Sequence, residues 1–237
     1  MLFPAILAPK MRKITDPGNR RYDLGAIVVM RDDDGNPSAT ATDGRRACIV
    51  TWVEPELECD SYHRPAAKDA VKRMRCNATT KGFSRRIPAE ALACIARSAS
   101  TAKGRNTPEF MRHVLIREDA APKDIRMAAT NGMGIARVEV EERGDRYPDV
   151  GSIIPQYELI SGEQGQAIRV RLNASFLIDA LDLIRSVSSC KDQNPVDLIV
   201  PMTDSQAVVL KSAPDSFNRK GDVEVTAVVM PLAISEG

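Results

Sequence analysis

The chain has 237 residues, of which 43% are hydrophobic and 27% charged, the fractions of a globular protein with one substantial core or two modest ones. Its 33 basic and 32 acidic residues leave a net charge of +1, so any contact with nucleic acid must come from local clusters of charge. Aromatic residues make up only 4% of the chain, too few for a platform that stacks single-stranded bases.

The cysteines and the apolar runs indicate a cellular compartment. The five cysteines show no CxxC spacing and no even pairing, and the sequence has no secretory leader, which favours free thiols in a reducing compartment. No apolar run approaches membrane-spanning length. We therefore expect a cytoplasmic protein with no membrane association.

The first part of the chain has the pattern of a short helix, three strands and a second helix. A short helix is predicted over 8–14, followed by strands over 24–31, 38–42 and 46–53. The last two strands are joined by Asp43-Gly44, a pair favoured at two-residue hairpin corners because both residues tolerate positive φ. A basic helix is predicted over 66–76.

The pattern then repeats twice. A helix over 87–99, with Pro88 near its first turn, precedes strands over 110–117, 125–130 and 134–141, with Asn131-Gly132 at the second corner. A strand over 167–172 and a helix over 173–187, with Asn173 as its N-cap, precede strands over 196–202, 206–212 and 223–231. The recurrence, at roughly 70–85 residues, predicts an α+β fold with about three similar units.

Enzymatic motifs are absent from the sequence. It has no G-x-S-x-G, no P-loop and only two histidines. Cys59, Asp60 and His63 could form half of a metal site, but no second cluster answers them. We therefore predict no cofactor, no metal and no catalysis. An enzyme with an unrecognised site is the least favoured of the three functional interpretations; the other two are given at the end of this subsection.

The helix predicted over 66–76 is the best nucleic-acid signal in the sequence. Lys68, Lys72 and Arg75 share one face, and Arg73 lies near it. Such a face can neutralise several phosphates and give salt-dependent affinity. The alternative is a solvated helix whose basic residues keep the protein soluble, and the sequence leaves the choice open.

Five segments carry a resemblance to a known family. They are ATDGRRA (41–47), RYPDVGSIIP (146–155), LNASFLIDALDLI (172–184), PMTDSQAVVL (201–210) and AVVMPLAI (227–234). In content and order they resemble segments of the β sliding clamp, the processivity subunit of bacterial DNA polymerase III. One departure is Arg45, where that family usually has His.

The resemblance implies the DNA-clamp fold, with helices on the inner surface of a ring and strands outside. It also implies a hydrophobic groove for peptides of DNA polymerase and other partners, beside the T-D-G corner. Carried over by motif, the groove residues are Leu24, Thr42, Gly44, Arg45, Arg46, Ala47, Pro148, Ile153, Asn173, Phe176, Val228, Val229, Met230, Pro231 and Leu232. Without the resemblance, the valines and Met230 read as core and the two arginines as solvated corner residues.

Compared with the three domains of that family, the sequence predicts one full clamp-like domain over 1–150, then a linker and a partial domain over 151–237. Four copies would match the six domains of the family's ring. The leading hypothesis is a homo-oligomeric processivity factor on duplex DNA, with a clamp loader as a candidate partner. The alternative is a clamp-fold module that binds peptides without encircling DNA.

Overall fold

The computed structural model describes residues 1–19, 22–55, 83–100, 109–117, 124–142, 146–154, 170–187, 195–201, 206–213 and 223–232. These residues form three α-helices: α1 (Ala8–Arg12), α2 (Ala89–Ala96) and α3 (Ala174–Val187). The strands are β1 (Leu2–Pro4), β2 (Ala26–Arg31), β3 (Pro37–Thr42), β4 (Arg46–Trp52), β5 (Ser84–Pro88), β6 (His113–Ile116), β7 (Asp124–Thr130), β8 (Ile135–Glu141), β9 (Val196–Ile199), β10 (Val208–Ser212) and β11 (Val223–Val229). Short 3-10 turns cover Glu109–Arg112 and Gly151–Ile153.

The strands form two antiparallel sheets, one of four strands in the order β1-β6-β7-β8 and one of seven in the order β5-β2-β3-β4-β11-β10-β9. Two units along the chain, β1-α1-β2-β3-β4 and β5-α2-β6-β7-β8, exchange their first strands. β1 pairs with β6, and β5 pairs with β2. The helices α1 and α2 pack against each other. Each unit therefore completes the sheet of the other.

The third unit, α3-β9-β10-β11, joins the first through a long antiparallel pairing. β4 and β11 run side by side from Arg46 opposite Val229 to Trp52 opposite Val223. Residues from both sides of the predicted domain boundary thus belong to one sheet. This junction places the end of β11 directly beside the corner that links β3 and β4.

One hydrophobic cluster fills the space between the two sheets and the three helices. Strand alternation supplies much of it: in β7, Ile125 and Met127 are buried while Arg126 between them is exposed. Phe3 of the smaller sheet meets Trp52 of the larger one edge to face, with ring centroids 5.4 Å apart. The Trp52 Nε1 also donates to the carbonyl of Leu2 at 2.9 Å, which fixes the two sheets together.

The predicted α+β class is confirmed. No helix among the described residues is long and apolar enough to cross a membrane. Asn173 caps α3 as predicted, because its Oδ1 accepts the Ser175 N–H at 2.9 Å. The sequence patterns missed β1 and β5, which are short and lack a run of alternating residues.

Several predicted boundaries are wrong. Residues 87–88 end strand β5 rather than begin a helix, because Pro88 keeps an extended backbone with ψ of 121°. Residues 110–112 form a 3-10 turn before β6. Of the strand predicted over 167–172, residues 170–172 are not in a strand. The last paired residues before the two corners are Thr42 with Ala47 and Thr130 with Ile135. Each corner therefore has four residues between its strands, and not the two predicted.

The β4–β11 junction should depend on the buried side chains of β11. Val229 is fully buried, and replacing it with Ala should lower the free energy of unfolding by about 2 kcal/mol, since methyl groups are lost from a packed site. Glu224 lies exposed on the same strand, so Glu224→Ala should change stability by less than about 0.5 kcal/mol. Urea unfolding followed by circular dichroism measures both, and equal losses would contradict the packing described for β11.

Candidate functional site

The corner between β3 and β4 is held by its own side chains. Thr42 Oγ1 donates to the carbonyl of Arg46 at 2.7 Å and accepts the Gly44 N–H at 3.1 Å. The Asp43 carboxylate accepts the N–H groups of Arg45 and Arg46, each at 2.9 Å. These bonds satisfy the backbone of the turn, so the corner keeps a fixed shape at the surface.

Gly44 is required at this corner by its backbone, because its φ is +85°. Below it lies Leu24, whose Cδ1 would stand 3.6 Å from a Cβ at position 44. The second corner repeats the arrangement: Thr130 Oγ1 donates to the Gly134 carbonyl, and Gly132 has a φ of +87°. The two corners are built alike, and they differ in what lies next to them.

Arg46 ties the first corner to the third unit. Its guanidinium donates to Asp43 at 2.9 Å, to Asp179 of α3 at 2.6 Å and to the Lys13 carbonyl at 2.5 Å. It also lies over the ring of Phe176, 4.4 Å from the centroid. With its side chain only 11% exposed, Arg46 is a buried, multiply bonded cation and not a solvated corner residue.

The other face of the same sheet carries a small apolar patch. Val228 packs there with Ala207 and Val209, and Ile154 of the linker covers them. Because side chains alternate along a strand, Met230 extends from the same face as Val228, and Met230 is 38% exposed. The Met230 N–H donates to the carbonyl of Arg45 at 3.0 Å, which holds the tail against the corner.

Residues 146–150 run alongside the corner. The Tyr147 hydroxyl donates to the carbonyl of Thr40 at 3.2 Å, and the Asp23 N–H donates to the carbonyl of Arg146 at 3.1 Å. Burial raises the pKa of the Tyr147 hydroxyl, so it stays a neutral donor. Pro148 is half-buried beside it. We call the surface formed by Gly44, Arg45, Pro148, Met230 and Leu232 the corner–tail cleft.

The predicted groove residues fall into three groups. Gly44, Arg45, Met230 and Leu232 are exposed; Arg46, Pro148, Asn173, Phe176 and Pro231 are half-buried; Leu24, Thr42, Ala47, Val228 and Val229 are buried. Ile153 lies in the 3-10 turn of the linker. The structure brings the corner and the tail together. Phe176 packs with the main core on the side of Arg46, whereas Val228 packs on the opposite face.

Sequence reasoning missed several residues that shape this region. Asp179 and Lys13 both accept hydrogen bonds from Arg46. Tyr147 anchors the linker to β3, and its place inside the matched segment 146–155 was the only signal for it. An ion pair across elements far apart in sequence leaves no local pattern.

The predicted DNA-binding residues Lys68, Lys72, Arg73 and Arg75 lie outside the described residues, as do Cys59, Asp60 and His63. On the described helices and the residues beside them, most basic side chains are paired with carboxylates. Lys10 contacts Asp182 at 3.3 Å, and this hydrogen bond lowers the pKa of that carboxyl. The Arg12–Glu90 and Lys13–Asp179 pairs are 2.7 and 3.4 Å long.

The described residues offer no group of three or more His, Cys, Asp or Glu side chains that could hold a metal ion. Cys48, in the middle of β4, is fully buried, and burial raises the pKa of its thiol from 9.0 to about 12. Such a thiol is a small core residue and not a nucleophile.

Comparison with known proteins identifies the fold. No protein-family model and no curated protein sequence matches the chain. Among solved structures, the Helicobacter pylori β clamp in complex with diflunisal has a TM-score of 0.63 and 12% identity, over 98% of this chain and 64% of that one. The Pseudomonas aeruginosa DNA polymerase sliding clamp has a TM-score of 0.63 and 13% identity, over 99% of this chain and 66% of that one. The H. pylori β clamp bound to a DNA ligase peptide has a TM-score of 0.60 and 13% identity, and the match covers 98% of this chain and 64% of that one. The chain has the fold of bacterial β sliding clamps and spans about two thirds of their length.

Arg46 should contribute strongly to stability. Arg46→Ala leaves Asp43 and Asp179 without their shared cation, and hydrogen bonds to charged groups contribute about 1.5–3 kcal/mol each, so we expect a loss of about 2–3 kcal/mol. Arg45→Ala, at an exposed position of the same corner, is the matched control and should change stability by less than about 0.5 kcal/mol. The account of Arg46 fails if urea unfolding gives the two variants equal stability.

Cys48 should make stability depend on alkaline pH. Its thiol ionises near 9.0 when exposed and near 12 when folded, so the unfolded state loses its proton first and stability falls as pH rises above 9. Between pH 8 and 10 the wild type should lose about 1.4 kcal/mol more than Cys48→Ala. Urea unfolding in reducing buffer at both pH values measures this difference; parallel pH dependences would mean that the thiol is accessible when folded.

Proposed function

We propose that this protein is a sliding-clamp-like processivity factor whose corner–tail cleft binds short apolar segments of DNA polymerase and other partners. The observation that carries the proposal is the β4–β11 pairing, which sets the exposed tail residues beside the T-D-G corner. The clamp fold supports it. The peptide seen in the H. pylori complex indicates which class of ligand to test.

The chemistry of the cleft suits an apolar peptide with a few polar groups. Met230 and Leu232 present flexible and branched aliphatic surface, 38% and 44% exposed. Pro148 adds a rigid apolar wall, and Arg45 supplies a cation at the rim. Buried Leu24 and Val228 form the floor below and do not themselves reach a ligand. Arg46 and Phe176 position the corner from the opposite face.

We further propose that the protein associates with duplex DNA through phosphates and without reading bases, in an oligomer placed there by a clamp loader. Lys68, Lys72, Arg73 and Arg75 would supply the charge, since Lys10, Arg12 and Lys13 are already paired with carboxylates. The protein would act in the cytoplasm, without catalysis and without a cofactor.

The ion pairs of Lys10, Arg12 and Lys13 also favour a second candidate function, a clamp-fold module that binds peptides but does not encircle DNA. A surface whose cations are neutralised attracts phosphate weakly. The two functions share the corner–tail cleft and differ in DNA binding, which is therefore the property that separates them.

Peptide binding should depend on Met230. Met230→Ala removes an exposed aliphatic side chain of the corner–tail cleft and should weaken binding of a fluorescein-labelled DNA ligase peptide about tenfold. Met133→Ala is the control, because Met133 is 95% exposed within the second corner, where it occupies the position that Arg45 has in the first. Fluorescence anisotropy gives both values of Kd. Equal affinities for the two variants would place the binding site elsewhere.

DNA association should depend on the helix predicted over 66–76. Changing Lys68, Lys72 and Arg75 to Glu should weaken binding to nicked circular DNA and lower the slope of log K against log salt by about 2–3, since each phosphate contact contributes about 0.9. The control reverses three exposed strand residues, Arg126, Arg137 and Lys211. Undiminished affinity in the first variant would refute the assignment of these residues to DNA, and absence of binding by the wild type would favour the module.

A further inference from the structure

Among the described residues, the third unit has no packing partner of the kind that the first two units give each other. In β1-α1-β2-β3-β4 and β5-α2-β6-β7-β8, the strand that follows each helix is covered at its edge by the other unit's first strand. The strand that follows α3 is β9, and β9 is the last strand of the seven-stranded order. In the described chain its outer edge therefore has no strand beside it, and such an edge is a ready template for pairing.

Exposed apolar side chains occur both on α3 and at β9. On α3, Ile178 is 59% and Leu181 is 39% exposed, three residues apart on one face of the helix. On the sheet, Leu198 and Val200 are 56% and 37% exposed. In the corresponding helix of the second unit, α2, which packs against α1, both large hydrophobic side chains, Leu92 and Ile95, are buried.

Leu198 and Val200 face the helix side of the sheet. Ile199, between them, packs on the opposite face of the sheet. Val196 is two residues before Leu198, so its side chain is on the same face as Leu198 and Val200, and it packs against the main core. Leu198 also stands opposite Leu210, a buried member of that core. Among the described residues, the core of the third unit thus reaches the edge of the sheet, and α3 packs on the same side over β10 and β11. We call Ile178, Leu181, Leu198 and Val200 the open face.

We propose that a second copy of this chain covers the open face through a two-fold contact, α3 against α3, so that two third units complete one clamp-like domain. The chain itself contains such a contact, because its first two units have the same order of helix and strands and pack α1 against α2. A two-fold contact sets the same patch on both copies, so an apolar face is its own complement. The net charge of +1 adds no repulsion that would oppose the pairing.

The segment before α3 supports a second copy as the occupant. In the first two units the strands that precede the helices, β1 and β5, are the ones exchanged. Residues 170–172 precede α3 and have the alternating pattern of a strand, yet they are not in a strand in the single chain. Within the described chain, the Leu232 N–H donates to the Arg171 carbonyl at 2.8 Å. In the pair, residues 170–172 of one copy would lie along β9 of the other.

This proposal rests on the packing of the described units and specifies the contact behind the proposed oligomer; it does not depend on peptide binding.

Multi-angle light scattering of the full chain should give twice 25.9 kDa, or a higher even multiple. The variant Leu181→Lys with Leu198→Lys should halve that mass, whereas Met133→Lys, at an exposed position elsewhere, should keep it. A wild type of one chain or an odd number of chains, or a mass unchanged in the double variant, would overturn the proposal.

Hydrogen exchange of the wild type provides a measurement that needs no variant. The amides of β9 should exchange about tenfold more slowly at high protein concentration than at low concentration, because strand pairing protects them. Equal exchange of β9 at both concentrations would also overturn the proposal. Since Leu181 and Leu198 lie outside the corner–tail cleft, the double variant should bind the ligase peptide with unchanged affinity. Loss of pairing and failure of peptide binding are therefore separate results.

Discussion

The antiparallel pairing of β4 with β11 is the constraint on which the rest of the structure depends. It joins two stretches of chain whose paired residues are 171 to 183 positions apart, and it does so along seven pairs of residues. Backbone hydrogen bonding fixes the register, and burial of Val225, Ala227 and Val229 makes a slip by one residue costly, since that slip would turn the apolar set outward. Arg46 closes the end of the pairing with charged hydrogen bonds to two other elements.

The two corners show how neighbours, rather than local chemistry, decide what a turn can do. Both have a threonine that bonds across the turn and a glycine with positive φ. Among the described strands, only the corner at Gly44 has a strand end beside it, because β4 is paired with β11 while β8 is at the edge of its sheet. The proposed function therefore belongs to one corner, and the other provides an internal comparison of nearly the same geometry.

Much of the fold could be predicted from the sequence, because strand alternation and helix periodicity are local signals. The strands around Val28 and Val50, the cap at Asn173 and the positive-φ glycines followed from such patterns. The exchange of β1 and β5 could not be predicted, because strands of three and five residues carry little periodicity and their partners are distant. The roles of Arg46 and Asp179 depend on a tertiary contact, which a linear pattern does not encode.

The location of peptide binding is the central claim, and methyl NMR tests it most directly. In protein labelled with ¹³C at its nine methionine methyl groups, Met230 and Met133 act as reporters of the two corners. On titration with the unlabelled ligase peptide, binding in the corner–tail cleft should shift the methyl signal of Met230 in proportion to saturation and leave that of Met133 unchanged. A shift of Met133 with Met230 unmoved, or no shift of either signal at saturating peptide, would contradict the claim.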